Sequence, residues 1–483
     1  MANINKMSVR GDLDRLQSEF ERLSQENALT GESKLLMRSM LTLLELICAI
    51  FLEKNTPKTT KNSSKPSSQT DKDESALGQQ GSKGKGKRER PDSAANSRVV
   101  ETVTVSEVTA CPVCGEDLTH THCDGQERRT RIDIVFEKVV EHVDAQIKSC
   151  PSCDSQVKGA FPADMPGPLQ YGSGLKAYCI NLLICQMVAL NRVQKSVKAM
   201  IGVVISEATL LKFVLRLHEA LSGWEHAVTE QLLKSHAMNV DETSLRVDRK
   251  NHWIHVYSSG DITLKRLHRR RGKEAMESIN IIPRYGGVII HDCWSSYLSY
   301  RHCAHGLCGS HLLRELTFIV DANDYRWAGN MKRLLQETCK KVSGRKGKKI
   351  TTKEYSDLQK RYRNIITRGE KELPAIPEKP SGQRGKMAKS DAHNLWERLK
   401  EYEEAVLLFA KDGNVSFTNN RAERDLRMSK VKQKVSGCFR NEQYAHAYCR
   451  ISSYLQTMAN KGHNPLIAIQ IALAGNAVSE WGE

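Results

Sequence analysis

Three acidic residues stand in contexts that suit metal-dependent chemistry on phosphate esters. Asp241 lies in residues 238–243, a segment typical of a β-strand, and Asp292 follows the apolar run 288–291. Glu423 lies in an Arg/Asn-rich stretch that precedes a helix. Such acids can hold two Mg²⁺ ions roughly 3.5–4 Å apart, which activate both the attacking and the leaving oxygen of a phosphodiester. The pattern predicts a DNA-cutting and DNA-joining enzyme.

The periodicity of apolar residues predicts the elements that must position these acids. A strand beginning at Val240 is followed by strands at 253–257 and 262–267, which are joined by the turn 258–261. A short helix from Lys273 and a buried strand at 287–290 come next. This order is that of an RNase H-like fold, in which the first and fourth strands are neighbours. We therefore expect Asp241 and Asp292 to lie together.

Two further acids compete for catalytic roles. Glu242 should face away from Asp241, because side chains alternate along a strand, and we expect it at the surface or at a hinge. Glu315 lies on an amphipathic helix after Asp292 and is the alternative third acid.

Basic residues surround Glu423. Arg421, Arg424 and Arg427 can hold phosphate oxygens in bidentate fashion, although a salt-bridged structural helix is the alternative. The track continues through Lys430 and Lys432. Over the whole chain, 73 Lys and Arg against 56 Asp and Glu give a net charge of +17, which favours a polyanionic partner.

The cysteines predict a structural metal site. Two Cys-Pro-x-Cys sequences form knuckles whose four thiolates suit a tetrahedral Zn²⁺ ion, and strands at 132–136 and 139–143 would complete a zinc ribbon. His120, His122 or Cys123 could replace one ligand. A second group has irregular spacing, so we interpret its members as packing or substrate contacts: Cys303, His305, Cys308 and His311. The ribbon ligands are Cys111, Cys114, Cys150 and Cys153.

The remaining segments are mostly helical or polar. No apolar leader is present at the N-terminus, which with the metal knuckles favours a reducing cytosol. The apolar stretch 35–52 contains Arg38 and Glu45, which disfavour a membrane span. We predict a helical or coiled-coil arm (1–54), a disordered basic linker (55–98) and the zinc ribbon (99–160), followed by a helical subdomain (168–236), the catalytic domain (237–450) with a helical, basic insertion (about 321–410), and a helical tail (451–483). The arm either mediates oligomerisation or packs on its own protein. The helical subdomain is either a helix-turn-helix or packs on the catalytic core.

Several motifs together resemble the large transposase of the insertion-sequence 66 family. Asn62-Ser63-Ser64-Lys65-Pro66-Ser67-Ser68 is similar to its linker signature, the two knuckles to its zinc-binding domain, and residues 170–178 to the entry of its catalytic domain. The core motifs are Val240-Asp241-Glu242-Thr243, His291-Asp292-Cys293-Trp294-Ser295-Ser296-Tyr297, Cys308-x-x-His311-x-x-Arg314-Glu315 and Asn419-Asn420-x-Ala422-Glu423-Arg424-x-Leu426-Arg427.

The resemblance implies a DDE-type mechanism with Asp241, Asp292 and Glu423 as the triad. It implies two Mg²⁺ (or Mn²⁺) ions, a structural Zn²⁺ ion and double-stranded DNA as the partner, with His311 and Arg314 contacting DNA. It also implies a homo-oligomer and small helper proteins from the same element, in the cytoplasm of a prokaryote and associated with the nucleoid, with no membrane partner. The alternatives are an RNase H-like nuclease that does not join DNA and a zinc-dependent, sequence-specific DNA-binding protein. The predicted fold class is a multidomain α+β chain with an RNase H-like core of mixed sheet and flanking helices.

Overall fold

The computed structural model describes residues 6–26, 28–59, 61–62, 102–376 and 388–479. The predicted linker therefore lies largely outside the described residues, as do Ser63 to Ser68 of the linker signature. Contacts divide the chain into two units. The first consists of Met1–Lys87 with Glu225–Ser453, and the second of Arg88–Trp224 with Tyr454–Glu483.

Sixteen helices and seven strands occur among the described residues. The strands are β1 (Ile147–Ser149), β2 (Gln156–Lys158), β3 (Ala237–Val247), β4 (Lys250–Ser259), β5 (Ile262–His268), β6 (Val288–His291) and β7 (Ala304–Leu307). The helices are α1 (Lys6–Gln25), α2 (Gly31–Lys54), α3 (Ser173–Ile184), α4 (Leu190–Ile201), α5 (Glu207–Ala220), α6 (Ser222–Leu233), α7 (Lys273–Ile279), α8 (Ser295–Leu298), α9 (Gly309–Asn323), α10 (Arg326–Ser343), α11 (Thr352–Glu372), α12 (Asp391–Glu401), α13 (Glu403–Lys411), α14 (Asn420–Ser436), α15 (Glu442–Lys461) and α16 (Pro465–Leu473).

A five-stranded mixed sheet forms the centre of the first unit. Its order is β5-β4-β3-β6-β7, in which β3, β4 and β5 are antiparallel while β6 and β7 run parallel to β3. Every residue of β6 is buried, as expected for a parallel strand with neighbours on both sides. The predicted strands and the short helix at Lys273 are confirmed, and so is the pairing of the first and fourth strands.

The sequence analysis did not predict β7. This strand has four residues, Ala-His-Gly-Leu, and pairs with β6 at one edge of the sheet. After it, residues 309–343, 352–372 and 391–411 are largely helical, as the absence of a β pattern predicted. These helices enclose an apolar core around Trp327, Leu335 and Leu395.

In the second unit, the strands predicted between the knuckles are wrong. Ile132 is 92% exposed, Val135 88% and Val139 86%, and residues 127–143 contain no strand. β-branched residues favour strands only where a partner strand or a core receives them, and this segment has neither. The strands of this region are instead β1 and β2, which form a short antiparallel hairpin beside the second knuckle.

The helices of the second unit pack together: α16 contacts α3 and α5, and α3 contacts α4 and α5. The predicted N-cap is confirmed, since the Ser206 side chain accepts a hydrogen bond from Thr209 N–H. Gly202 ends α4 with a φ of 69°. The apolar face of α5, which includes Leu210, Phe213 and Leu217, is buried.

The N-terminal helices pack on each other, and the end of α2 packs on α9 within the first unit. Glu53 is buried and accepts hydrogen bonds from Asp391 N–H, Ala392 N–H and the Asn323 side chain at 2.5, 3.0 and 2.9 Å. Its carboxylate therefore caps the N-terminus of α12. Farther back, α2 exposes an apolar stripe, Leu36, Met40, Leu43 and Ile47.

By length and composition, α2 is long and apolar enough to cross a membrane. Only 17% of its most apolar window is buried in the structure. A single helix of this kind near an N-terminus is weak evidence for a membrane protein. Its last turn, moreover, is occupied by the polar contacts of Glu53.

Candidate active site

Strand pairing brings the two predicted aspartates to one end of the sheet. Asp241 lies in β3, which pairs with β6 through Ala237–Val288 and Asn239–Ile290. Asp292 directly follows β6. If that register is continued by two residues, Asp241 and Asp292 stand opposite each other. Asp292 is held by a turn in which its Oδ1 accepts a hydrogen bond from Trp294 N–H at 3.1 Å.

Glu423 reaches the same end of the sheet from α14. The N-cap of that helix, Asn419, is 1% exposed, and its side chain donates to the carbonyl of Val240 at 2.8 Å and accepts from Asn239 at 2.9 Å. These bonds fix the first turn of α14 against β3. Sequence reasoning assigned no role to Asn419, although an Asn directly before a helix is a recognisable N-cap.

A second contact fixes the segment before α14. Gly309 N–H donates to the carbonyl of Phe417 at 2.7 Å, and a Cβ at Gly309 would lie 2.2 Å from the Phe417 ring. Only glycine fits this close approach. The start of α9 and the start of α14 are therefore held side by side.

Farther along, α14 is anchored by Asp425, which is 1% exposed. It accepts hydrogen bonds from Ser258 at 2.7 Å, Thr263 at 2.8 Å and Arg421 at 2.9 Å. The helix that bears Glu423 is thus tied to three strands of the sheet.

The acids interact electrostatically. The pKa of Asp241 is raised to about 8, first by burial and then by the charges of Glu242, Asp292 and Glu423, while a hydrogen bond from Glu242 N–H lowers it. The charges of both other members of the predicted triad therefore act on Asp241. A carboxylate that is costly to ionise among other carboxylates is typical of a site that binds cations.

The donor set suits hard divalent ions. Carboxylate oxygens are the ligands that Mg²⁺ prefers, and Glu423 Oε1 is buried with no hydrogen-bond donor among the described residues. Among the described residues, the close group of potential ligands that includes Glu423 is formed with Cys308 and His311 and not with the two aspartates.

Glu242 is not at the surface or at a hinge, so that expectation is wrong. It is buried, pairs with Arg271 at 2.6 Å and accepts a 2.5 Å hydrogen bond from Tyr297. The Arg271 guanidinium lies over the rings of Trp253 and Trp294, at 5.1 and 4.2 Å from their centroids. Arg271 and Tyr297 thus supply the buried Glu242 carboxylate with a charge partner and a hydrogen-bond donor.

Glu315, the alternative third acid, is engaged elsewhere. Arg398 donates to both of its carboxylate oxygens, at 3.0 and 2.9 Å. A bidentate pair of this kind is a strong local contact, which leaves Glu423 as the acid near Asp241.

The predicted phosphate-binding residues fall into distinct groups. Arg424 and Arg427 are exposed, and Arg314 and His311 are half-buried at α9. Arg421 is instead committed to Asp425 and Thr263, which is the structural role that the sequence analysis held as the alternative.

Lys430 and Lys432 of α14 were predicted to continue a basic surface track, but both are half-buried. Lys430 donates to Ser244 at 3.2 Å; burial lowers its pKa and the Asp241 carboxylate opposes that shift. Burial also lowers the pKa of Lys432. Lys430 therefore lies within electrostatic reach of Asp241.

The two knuckles have matching backbone hydrogen bonds. Gly115 N–H donates to Cys111 O and Asp154 N–H to Cys150 O, each at 2.9 Å. Hydrogen bonds from backbone groups and from Cys114 lower the pKa of the Cys111 thiol, which favours the metal-binding thiolate. In the described chain the four thiols are not grouped within 4.8 Å, so the Cys₄ site stays a prediction.

Comparison with known proteins identifies the family. No curated protein matches the chain significantly. The family model described as Transposase IS66 family matches residues 168–447, which is more than half of the chain and includes all three acids. The chain therefore belongs to the IS66 family of transposases, as the motifs indicated.

Proposed function

We propose that this chain is a DDE-type transposase that cleaves DNA at insertion-sequence ends and joins the freed 3′-hydroxyl to target DNA. Family membership supports a transposase role, DNA as partner and divalent metal ions as cofactors. The observation that carries the mechanism is the electrostatic grouping of Asp241 with Asp292 and Glu423 at one end of the sheet.

The triad would hold two Mg²⁺ or Mn²⁺ ions, which supply a polarised nucleophile and neutralise charge on the leaving oxygen. Asp241 interacts electrostatically with both other acids and would be shared between the ions. In the first step a water oxygen attacks the phosphorus and the 3′-oxygen leaves as a hydroxyl. In the second step that hydroxyl attacks a target phosphodiester, whose own 3′-oxygen leaves.

Other residues would orient the DNA and the acids. Asn419 fixes the helix that bears Glu423, and the exposed Arg424 and Arg427 would contact phosphate oxygens. Lys430, which senses the Asp241 charge, would approach the phosphate once DNA is bound. The net charge of +17 supports a DNA backbone as partner.

We infer that the catalytic core is RNase H-like. Three antiparallel strands followed by two parallel ones, in the order β5-β4-β3-β6-β7, support this assignment. The location of Asp241 on β3 and of Asp292 directly after β6 also supports it.

We also infer a structural Zn²⁺ ion at Cys111, Cys114, Cys150 and Cys153, supported by the matching turns of the two knuckles. Self-association is supported by the exposed stripe of α2, whose residues recur every three or four positions as in a coiled-coil seam. Helper proteins of the same element and a cytoplasmic, nucleoid-associated location remain predictions of the family resemblance.

The proposal is tested with DNA that carries the element ends and a separate target plasmid. The wild-type protein with Mg²⁺ should yield nicked ends and joined products. Asp292→Asn should abolish both and still bind DNA, whereas Asp324→Asn, at the C-terminus of α9, serves as the control. Retained joining by Asp292→Asn would contradict the assignment. Cleavage without joining by the wild type would favour a nuclease, and binding without cleavage a DNA-binding protein.

A further inference from the structure

A group of three potential metal ligands lies at the start of α9. Cys308, His311 and Glu423 each offer one ligand atom, and these atoms lie within 4.8 Å of one another. His311 Nδ1 is 3.7 Å from Glu423 Oε1. In the part of the chain that the structure describes, no other group of three such side chains is this close.

The side chains are arranged around a shared space. Glu423 Oε1 and His311 Nδ1 are both buried, and neither has a hydrogen-bond partner among the described residues. The two atoms lie 3.7 Å apart, which is too far for a hydrogen bond between them. A cation placed between them would bind the imidazole nitrogen and the carboxylate oxygen at the same time.

Cys308 is held in place on the third side. It is fully buried, is the N-cap residue of α9, and its Sγ accepts a hydrogen bond from Asn419 N–H at 3.1 Å. That bond ties the thiol to the N-cap of α14, four residues before Glu423. The two helix starts thus fix all three ligands from the backbone.

The distances fit a tetrahedral ion after a small contraction. Bonds of about 2.0–2.3 Å to Zn²⁺ place neighbouring ligand atoms about 3.3–3.8 Å apart. The 3.7 Å between His311 Nδ1 and Glu423 Oε1 lies near the upper end of this range. Since all three ligand atoms lie within 4.8 Å of one another, a shift of at most about one ångström at Cys308 closes the set and leaves the fourth position open to water.

We propose that Cys308, His311 and Glu423 form a binding site for a thiophilic divalent ion such as Zn²⁺, and that occupation of this site withdraws Glu423 from the catalytic triad. Thiolate and imidazole select such ions, whereas Mg²⁺ prefers oxygen ligands. The two kinds of ion therefore compete for one carboxylate. The second half of the proposal rests on the proposed function, and the first half does not.

Metal content of the purified full-length chain tests the binding half. The wild type and each variant are equilibrated with Zn²⁺, dialysed, and analysed for zinc per chain. Cys308→Ser and His311→Ala should each contain one equivalent less than the wild type, whatever the knuckles contribute. Loss of a direct ligand should weaken binding by more than about 100-fold, because loss of an outer partner alone costs about 10–100-fold.

A matched control is available in the same region. Cys303 is also buried, but its thiol donates to the carbonyl of Tyr300 and is outside the group. Cys303→Ser should keep the wild-type zinc content. Circular dichroism of all variants identifies any that fail to fold, and Glu423→Gln gives a third, independent removal of a ligand.

Cobalt gives a second readout that needs no DNA. Co²⁺ bound to a thiolate absorbs in the near ultraviolet, so titration of the metal-free Cys308→Ser and Cys303→Ser variants with Co²⁺ should differ in that band by the contribution of one site. Equal zinc content and equal cobalt spectra in all variants would overturn the site.

The competition half is tested on DNA. Added Zn²⁺ should inhibit Mg²⁺-dependent cleavage by the wild type and by Cys303→Ser, with each rate expressed relative to the same protein without zinc. In Cys308→Ser the inhibiting concentration should rise by more than about 100-fold, as expected for a lost direct ligand. Unchanged inhibition would overturn the competition while leaving the binding site in place. A chain that binds zinc as described but never cleaves DNA would contradict the proposed function alone.

Discussion

The side-chain amide of Asn419 donates a hydrogen bond to the carbonyl of Val240, the residue directly before Asp241. The same residue accepts from Asn239 and donates its backbone N–H to Cys308. One buried residue thus connects the strand of the first acid, the helix of the third acid and the start of α9. The relative position of Asp241 and Glu423 depends on it.

We therefore expect Asn419→Ala to impair both folding and catalysis. Removing the side chain leaves buried partners unsatisfied, which costs about 1–3 kcal/mol per group. The free energy of unfolding, measured with denaturant, should fall by this order, and DNA cleavage should fall more than DNA binding. Asn420, which is exposed and next in sequence, supplies the control Asn420→Ala. Equal effects of the two substitutions would contradict the positioning role.

The pKa of Asp241 predicts how metal binding depends on pH. Because its folded-state pKa is raised to about 8, its contribution to stability is complete below its ordinary pKa and is lost as the pH rises to about 8. Without Mg²⁺, the melting temperature of the wild type should fall relative to Asp241→Asn between pH 5.5 and 8.5. Stabilisation by Mg²⁺ should increase over the same interval, since the ion competes with the proton.

The control for this experiment is Asp248→Asn, which changes an exposed carboxylate in the turn between β3 and β4. Its melting temperature should follow the wild type at every pH. If Asp241→Asn also follows the wild type, Asp241 does not carry the shifted proton.

Removing the charge of Glu242 should affect stability and the neighbouring acid together. Glu242→Gln breaks the buried ion pair with Arg271, for which we expect a loss of roughly 1–3 kcal/mol, as for other buried charged hydrogen bonds. It also removes the largest charge effect on Asp241, so the pH at which Mg²⁺ begins to stabilise the protein should move down. Glu274→Gln, in an exposed pair with Arg270 at 3.8 Å, should change neither quantity measurably. An unchanged metal–pH profile for Glu242→Gln would refute the coupling.

The knuckles predict a zinc-dependent fold in the second unit. Cys111→Ser and Cys150→Ser should each lower the zinc content by one equivalent, and together they should lower it no further, because both remove the same ion. Cys123→Ser changes an exposed cysteine outside the knuckles and should leave the zinc content intact. Additive losses from the two knuckle variants would mean two separate sites.

The strands that carry the acids could be predicted because their residues show the alternation and the buried runs that a central sheet imposes. β7 could not, since Ala304-His305-Gly306-Leu307 contains no β-branched residue and pairs only through its position beside β6. The opposite error occurred at residues 132–143, where β-branched residues have no partner strand. The preference of a segment's residues for β structure therefore produces a strand only where the fold supplies a partner strand or a core.

Some features of the candidate site could likewise be predicted from the sequence, and others could not. Asp241, Asp292 and Glu423 were predicted as a triad from their sequence contexts, and the triad stays a prediction; the charges of Asp292 and Glu423 do act on Asp241. The burial of Glu242 could not be predicted, because Arg271, Tyr297 and two tryptophans reach it from separate elements. Likewise, the spacing of Cys308 and His311 was dismissed as irregular, and their ligand partner, Glu423, is distant in sequence.

The cap that Glu53 provides for α12 sets an order of events during synthesis. Glu53 leaves the ribosome 339 residues before Ala392, whose N–H it accepts. At about 5–20 residues per second, that interval lasts roughly 20–70 s. The end of α2 packs on α9, which emerges before α12, so this part of the helix lacks its docking surface for most of the interval. The nascent chain must keep it from aggregating during that time, and the cap on α12 is the last of these contacts to form.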